Sequence, residues 1–156
     1  MARIEHFNNP NAPKPNSIVV AVTVFVQDEQ GRVLLIQRTD NGLWALPGGA
    51  QDFGEYIAET AVRETREETG VEVKVTGLVG IYTNPNHVVE YSDGEVRQQF
   101  SICFRGQYVD GEPTTSDESS AVAWVRKDEL DELQIHPSMR LRIDHGFTCR
   151  AEPYIG

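Results

Sequence analysis

The chain has 156 residues, 39% of them apolar and 8% aromatic, enough for one packed core and too little for two comfortable ones. Its 24 Asp and Glu against 14 Lys and Arg leave a formal charge of -10, which excludes a nucleic acid duplex or an anionic membrane as natural partners and requires that any anionic ligand meet positive charge supplied locally. The longest apolar run, Ile18 to Val26, is broken by Thr23 and too short to span a bilayer, and Met1 to Phe7 holds no apolar leader; a cytoplasmic location follows as the expectation.

Residues 1–16 read as an extended N-terminal arm, because Pro10, Pro13 and Pro15 remove backbone donors from a stretch poor in apolar side chains. Ile18 to Val26 is dense in β-branched residues, and the turn Asp28-Glu29-Gln30-Gly31 leads into Arg32 to Arg38, so the pair reads as a hairpin of two buried strands. A loop, Leu46-Pro47-Gly48-Gly49, precedes a helix over Glu55 to Thr69, which has no Gly or Pro and is stopped by Gly70. Val71 to Val75 alternates as a half-buried strand does; Gln99 to Val109 and Ala121 to Val125 are further strands. Arg126 to Leu133 and Pro137 to His145 read as two short helices. Strands interleaved with helices in a domain spanning 17–146, followed by a tail at 147–156, predict an α/β class with a mixed sheet covered on both faces. Cys103 and Cys149 have neither metal-type nor redox spacing and are expected as free thiols.

The chemistry gathers on the helix. At 100 degrees per residue, Ile57, Ala58, Ala61, Val62 and Thr65 form the sheet-facing side, while Glu64, Glu67 and Glu68 fall at i, i+3 and i+4 and converge on one patch. Glu68 points at the edge of the apolar stripe, where a lone carboxylate is poorly solvated. Three such charges repel, and hard oxygen ligands clustered in this way suit magnesium or manganese. The same string also reads as a solvated, charge-laced helix, with Glu59 and Arg63 a favourable i, i+4 pair. Gly48-Gly49, just upstream, lets backbone approach a ligand without a Cβ in the way.

Counted from Gly49, the chain runs glycine, five residues, Glu55, seven residues, Arg63-Glu64, Thr65, Arg66, Glu67-Glu68, Thr69, Gly70, Val71. This resembles the Nudix box; every fixed position matches, and Thr65 stands where the pattern prefers an aliphatic side chain. The resemblance extends to Leu43 to Gly48, to Trp124-Val125 and to Asp128-Glu129-Leu130. It implies a single-domain Nudix-type α/β/α sandwich and a pyrophosphohydrolase that uses Mg2+ or Mn2+. It further implies metal ligands from Glu64, Glu67, Glu68 and the Gly48 carbonyl, with Glu55 contributing through water or structural contacts and Arg63 orienting a glutamate by salt bridge. A carboxylate must accept the proton of the attacking water, and the candidates are Glu64 and, from a later loop, Glu118.

The box leaves the substrate open. Arg38 is a candidate phosphate contact, and Tyr82, Tyr91 and Phe100 are candidates to stack a base. Pro85, 14 residues past Val71, lies near where ADP-ribose-cleaving relatives carry a proline. The implied ligand is a small nucleotide: ADP-ribose or a nucleotide sugar, alternatively a nucleoside triphosphate, oxidised ones included. A non-catalytic nucleotide sensor is the reading from another class, and metal-dependent turnover separates the two. The resemblance also allows a homodimer, with the N-terminal arm exchanged between subunits.

Overall fold

The structure is a computed structural model that describes residues 3–156. Its strands are β1 (Arg3–Phe7), β2 (Ser17–Gln27), β3 (Val33–Arg38), β4 (Trp44–Ala45), β5 (Gly48–Ala50), β6 (Glu72–Tyr82), β7 (His87–Tyr91), β8 (Val96–Asp110), β9 (Ser119–Val125) and β10 (Tyr154–Ile155). The helices are α1 (Ile57–Thr69) and α2 (Pro137–Thr148), with a 3-10 turn over Lys127–Glu132.

All ten strands join one curled mixed sheet whose central path runs β1-β7-β8-β2-β3-β4. β2 is its axis. It lies parallel to β8 along its whole length, while β5 and one residue pair of β3 meet its other edge. The expected hairpin between the first two buried strands is therefore corrected: β2 and β3 meet only at Gln27 and Val33, and β3 pairs instead with β9. Both strands are buried on two faces, so their apolar runs carry no information about which neighbour they pair with.

Strand alternation divides the core. Val22, Val24, Val26 and Leu34 face one way and pack with Ala61 of α1, whereas Phe25, Val33 and Leu35 face the other and pack with Ile143 of α2. Each face has its helix, as an α/β/α sandwich requires. α1 ends at Gly70, which adopts a left-handed φ of 74° and donates its amide to the Arg66 carbonyl. Thr65 is fully buried, and its hydroxyl donates to the Ala61 carbonyl at 2.8 Å, which explains how a polar residue occupies a core position.

The termini are knitted into the sheet. β1 pairs antiparallel with β7 of its own chain, where the sequence allowed exchange with a second copy, and β10 pairs parallel with β6. Cys103 is buried and Cys149 exposed, both as free thiols. No helix among the described residues is long and apolar enough to cross a membrane.

Candidate active site

A cleft of about 370 Å³ opens between the β5–α1 loop, the face of β2 and β8, and the start of α2. Its acidic end holds Glu64, Glu68 and Glu118. Arg3, Arg38, Arg97 and Arg142 also line the cleft, and Arg38, paired with Ser119 of β9, lies close enough to act on Glu68.

The acidic end is assembled by the loop before α1. Gly48 and Gly49 pair with Thr23 and Val22 of β2, which presses the loop against the sheet beneath the helix. A Cβ on Gly49 would sit 2.4 Å from Cδ of Glu64, so only glycine admits that carboxylate. The Gly48 amide donates to Glu68 Oε1 at 2.8 Å. Glu68 is only 3% exposed. Burial pushes its carboxyl up to about 8; the Gly48 amide opposes that rise, and the neighbouring Glu64 and Glu118 carboxylates add to it. Burial likewise raises Glu64, against the pull of Arg63.

Glu118 arrives from the loop before β9. Ser119 donates its hydroxyl to the Glu68 carbonyl at 2.8 Å, which ties that loop to the end of α1 and brings the Glu118 carboxylate close enough to raise both Glu64 and Glu68. Its own carboxylate has no hydrogen-bond partner among the described residues.

Arg63 organises the remaining acids of the box. Its guanidinium donates to both oxygens of Glu55 at 2.6 and 3.0 Å, to Glu64 at 2.9 Å, to Glu67 at 3.2 Å and to the Ala50 carbonyl at 3.2 Å. Glu55 also accepts from the Asp52 amide and the Thr60 hydroxyl. Those bonds, the Arg63 contact foremost, hold its carboxyl at about 2. Both oxygens meet protein donors and the side chain does not line the cleft, so the contribution of Glu55 visible here is the structural one, as the anchor of Arg63. Glu67, with a side chain 57% exposed, does not line the cleft and is held on the helix surface by Arg63.

The substrate-contact candidates divide. Arg38 lines the cleft but forks onto Asp40, with Nε and Nη2 at 2.9 and 2.8 Å from its two oxygens. Tyr82 is a correction. It is buried in the core, its ring stacked with His145 and Tyr154 and its hydroxyl 2.7 Å from His145 Nδ1, so no face is open to a base. Tyr91 does reach the cleft, with the Arg97 guanidinium 4.7 Å from its ring centroid, whereas Phe100 does not line it. Pro85 sits exposed in the β6–β7 turn and lends nothing to the cleft.

Sequence reasoning missed a third group, Glu5, His87 and His136, whose ligand-type atoms lie within 4.8 Å of one another. Hydrogen bonding explains this trio. The Ser138 amide donates to His136 Nδ1, so the proton of the neutral ring sits on Nε2, facing Glu5; His87 Nε2 donates to Glu5 at 2.5 Å. His87 hydrogen-bonds Glu5 and His136 Nε2 lies 3.6 Å from the same oxygen, beyond hydrogen-bond reach, so the trio is a polar cluster in the cleft wall.

A cradle that a Cβ would fill, and crowded carboxylates whose affinity for protons is raised, fit a divalent cation at the acidic end: hard oxygens gain what mutual repulsion otherwise takes away. Comparison with known proteins agrees. The NUDIX domain profile matches residues 18–145. The chain is 37% identical over 121 residues to a MutT-like protein of Streptomyces ambofaciens, covering 78% of this chain and 72% of that one. It is 32% identical over 114 residues to an ADP-ribose pyrophosphatase of Methanocaldococcus jannaschii, covering 68% and 61% respectively. A NUDIX hydrolase structure from Nitrosomonas europaea superposes with a TM-score of 0.73 at 21% identity, over 94% of this chain and 80% of that one, a likeness of fold. The chain belongs to the NUDIX domain family and is a Nudix pyrophosphohydrolase.

Proposed function

We propose that the chain hydrolyses the pyrophosphate bond of a nucleoside diphosphate linked to a second moiety, with ADP-ribose or a nucleotide sugar as the leading class. One observation carries this reading: a single cleft is lined both by the carboxylates Glu64, Glu68 and Glu118 and by Arg3, Arg38, Arg97 and Arg142, so one ligand meets a cation site and guanidinium groups together. The M. jannaschii relative named ADP-ribose pyrophosphatase supports the substrate class.

In this reading Glu64, Glu67, Glu68 and the Gly48 carbonyl hold Mg2+ or Mn2+. Bound there, a divalent ion neutralises pyrophosphate charge and lowers the pKa of water. Arg63 keeps Glu64 and Glu67 on the same side of α1 and is itself fixed by Glu55. Glu118, the one of these acids free of protein donors, accepts the proton of the attacking water. Arg38 offers Nη1 to the substrate while Asp40 fixes its fork.

The test incubates the protein with ADP-ribose, nucleotide sugars, dNTPs and 8-oxo-dGTP, with magnesium and with EDTA, and separates products by chromatography. Magnesium-dependent AMP and ribose 5-phosphate are expected. Nucleoside monophosphate and pyrophosphate from the triphosphates alone would replace this reading with nucleotide clean-up, and metal-independent binding without product would make the chain a sensor.

A further inference from the structure

Among the described residues, three buried side-chain polar atoms lack a hydrogen-bond partner: Thr23 Oγ1, Ser101 Oγ and Arg142 Nε. All three residues line the same cleft. Native proteins satisfy nearly all such atoms, and three exceptions in one cavity mark the place where a ligand supplies the partners.

Arg142 is the demanding member. It is 6% exposed, and no hydrogen bond or ion pair to its guanidinium occurs among the described residues. Its surroundings are the Tyr82 ring, with the centroid 5.2 Å away, and the Cys103 thiol. Burial accordingly depresses its affinity for its proton. The one acid near enough to act on it, Glu5, already accepts from His87. Water can satisfy the hydroxyls of Ser101 and Thr23, but water does not neutralise a buried charge. The position is no accident of packing either. Met139, Arg142, Ile143 and Gly146 fall at i, i+3, i+4 and i+7 on α2, so arginine stands in the core-facing stripe of the helix.

We propose that Arg142, with Ser101 and Thr23 beside it, is a subsite for an oxyanion, a phosphate or a carboxylate, on the moiety of the substrate that lies beyond the scissile pyrophosphate. The subsite rests on the hydrolase reading of the cleft and narrows its substrate class to nucleotide sugars whose sugar bears a phosphate or carboxylate, since the terminal ribose of ADP-ribose carries no oxyanion. Thr23 pairs with Gly48 itself, one strand from the glycine loop, whereas Ser101 pairs with Ala21, which pairs with Ala50, so the far end of the subsite lies two strands across the sheet from that loop. At a strand spacing of about 4.8 Å this is roughly 10 Å, the reach of a sugar attached to a pyrophosphate. A second moiety ending in an oxyanion places its charge on Arg142 while its pyrophosphate lies against the carboxylate cluster.

The experiment needs no turnover. Thermal unfolding is followed in EDTA while inorganic phosphate or acetate is titrated against sodium chloride of equal ionic strength, in the unaltered protein, in Arg142→Met and in Ser101→Ala. Phosphate, acetate or both raise the Tm of the unaltered protein by several degrees, and whichever anion does so identifies the oxyanion. Arg142→Met abolishes the response and unfolds no earlier than the parent without anion, because a charge without a counter-ion has left the interior. Ser101→Ala, which leaves the fold alone, weakens anion affinity severalfold. No response to either anion in the parent, or an equal response in Arg142→Met or in Ser101→Ala, overturns the subsite. Since EDTA removes catalysis, failure of the hydrolase assay and failure of this titration are separate results.

Discussion

Replacing Gly49 with alanine tests whether the glycine loop serves catalysis or merely the turn. The added Cβ would lie 2.4 Å from Cδ of Glu64 and 2.6 Å from each of its oxygens. Carbon contacts settle near 3.5 Å, so the carboxylate must retreat by roughly 1 Å. The obstacle is the far end of a flexible side chain, and the fold can absorb it. The chemistry cannot, because a misplacement of that size at a reacting centre lowers turnover on the order of 100-fold, about 2.7 kcal/mol of transition-state stabilisation. Arg63 bonds the same carboxylate and travels with it or lets go.

Gly48→Ala is the contrast. There the Cβ would meet the Val22 carbonyl oxygen at 2.0 Å and the Thr23 Cα at 2.9 Å, backbone atoms of the central strand that have nowhere to move. Overpacking of this kind costs up to about 3 kcal/mol, a fall in Tm of roughly 6–12 °C for a chain of this size. Calorimetric unfolding and magnesium-dependent ADP-ribose hydrolysis, run on both variants, separate the effects: Gly49→Ala melts within a few degrees of the parent and is catalytically crippled, whereas Gly48→Ala loses stability first. Parental kcat/KM in Gly49→Ala would refute the placement of Glu64 in the reaction centre.

Glu68→Gln keeps an acceptor for the Gly48 amide and replaces a carboxyl that burial already pushes towards its neutral form, so the metal-free variant unfolds near the parental Tm while turnover falls at least about 100-fold. Unchanged turnover would remove Glu68 from the metal site. Gly146→Ala drives a methyl within 2.4 to 2.6 Å of the Phe25 ring beneath α2 and costs about 1–3 kcal/mol, read by denaturant unfolding; a neutral result would mean that α2 lifts freely off the sheet. Glu5 is held at about 2, below its ordinary 4.5, because the hydrogen bond from His87 and the nearby His136 overcome the opposing effect of burial. A depressed folded-state value contributes stability that is present above the unfolded value and lost as pH falls between 4.5 and about 2. Burial depresses His136 as well, so its protonation on acidification below 6.5 also works against the fold. Tm measured against pH falls more steeply below 4.5 in the parent than in Glu5→Gln, and parallel curves would show that the trio does not stabilise the wall.

Legibility followed the range of the interactions. α1 was readable because its signals are local: an unbroken run of helix formers, a left-handed glycine at its end, and acids at helical spacing. β2, β3, β8 and β9 were readable as strands from β-branched density, but their pairing was not. β2 and β8 are parallel partners some 80 residues apart, and nothing in either segment names the other. β1 and β7 escaped notice altogether, since Arg3–Phe7 and His87–Tyr91 are short and mix polar and apolar residues without regular alternation, and each exists because the other supplies its hydrogen bonds. The register shift of β9 at Arg38 is likewise a product of the assembled sheet.

The same rule divides the site. Its acidic end is written in one short stretch, Gly48 to Glu68, where loop and helix are sequence neighbours, and Glu118, from a loop beside a recognisable strand, was nameable as a candidate for the same end, which it does line. The arginine lining comes from β1, β3, β8 and α2, elements that only the folded sheet brings together, so Tyr82 and Tyr91 could not be told apart in advance: the β6 residue turned into the core and the β7 residue into the cleft. One signal for that lining was present. An arginine at position 142, three residues after Met139 and directly before Ile143, interrupts an apolar stripe at helical spacing, and a charge in such a stripe needs either an internal partner or a ligand. The structure supplies no internal partner. The reaction type is therefore encoded locally, in a motif that survives any change of neighbours, while the surroundings of Arg142 are encoded in long-range register.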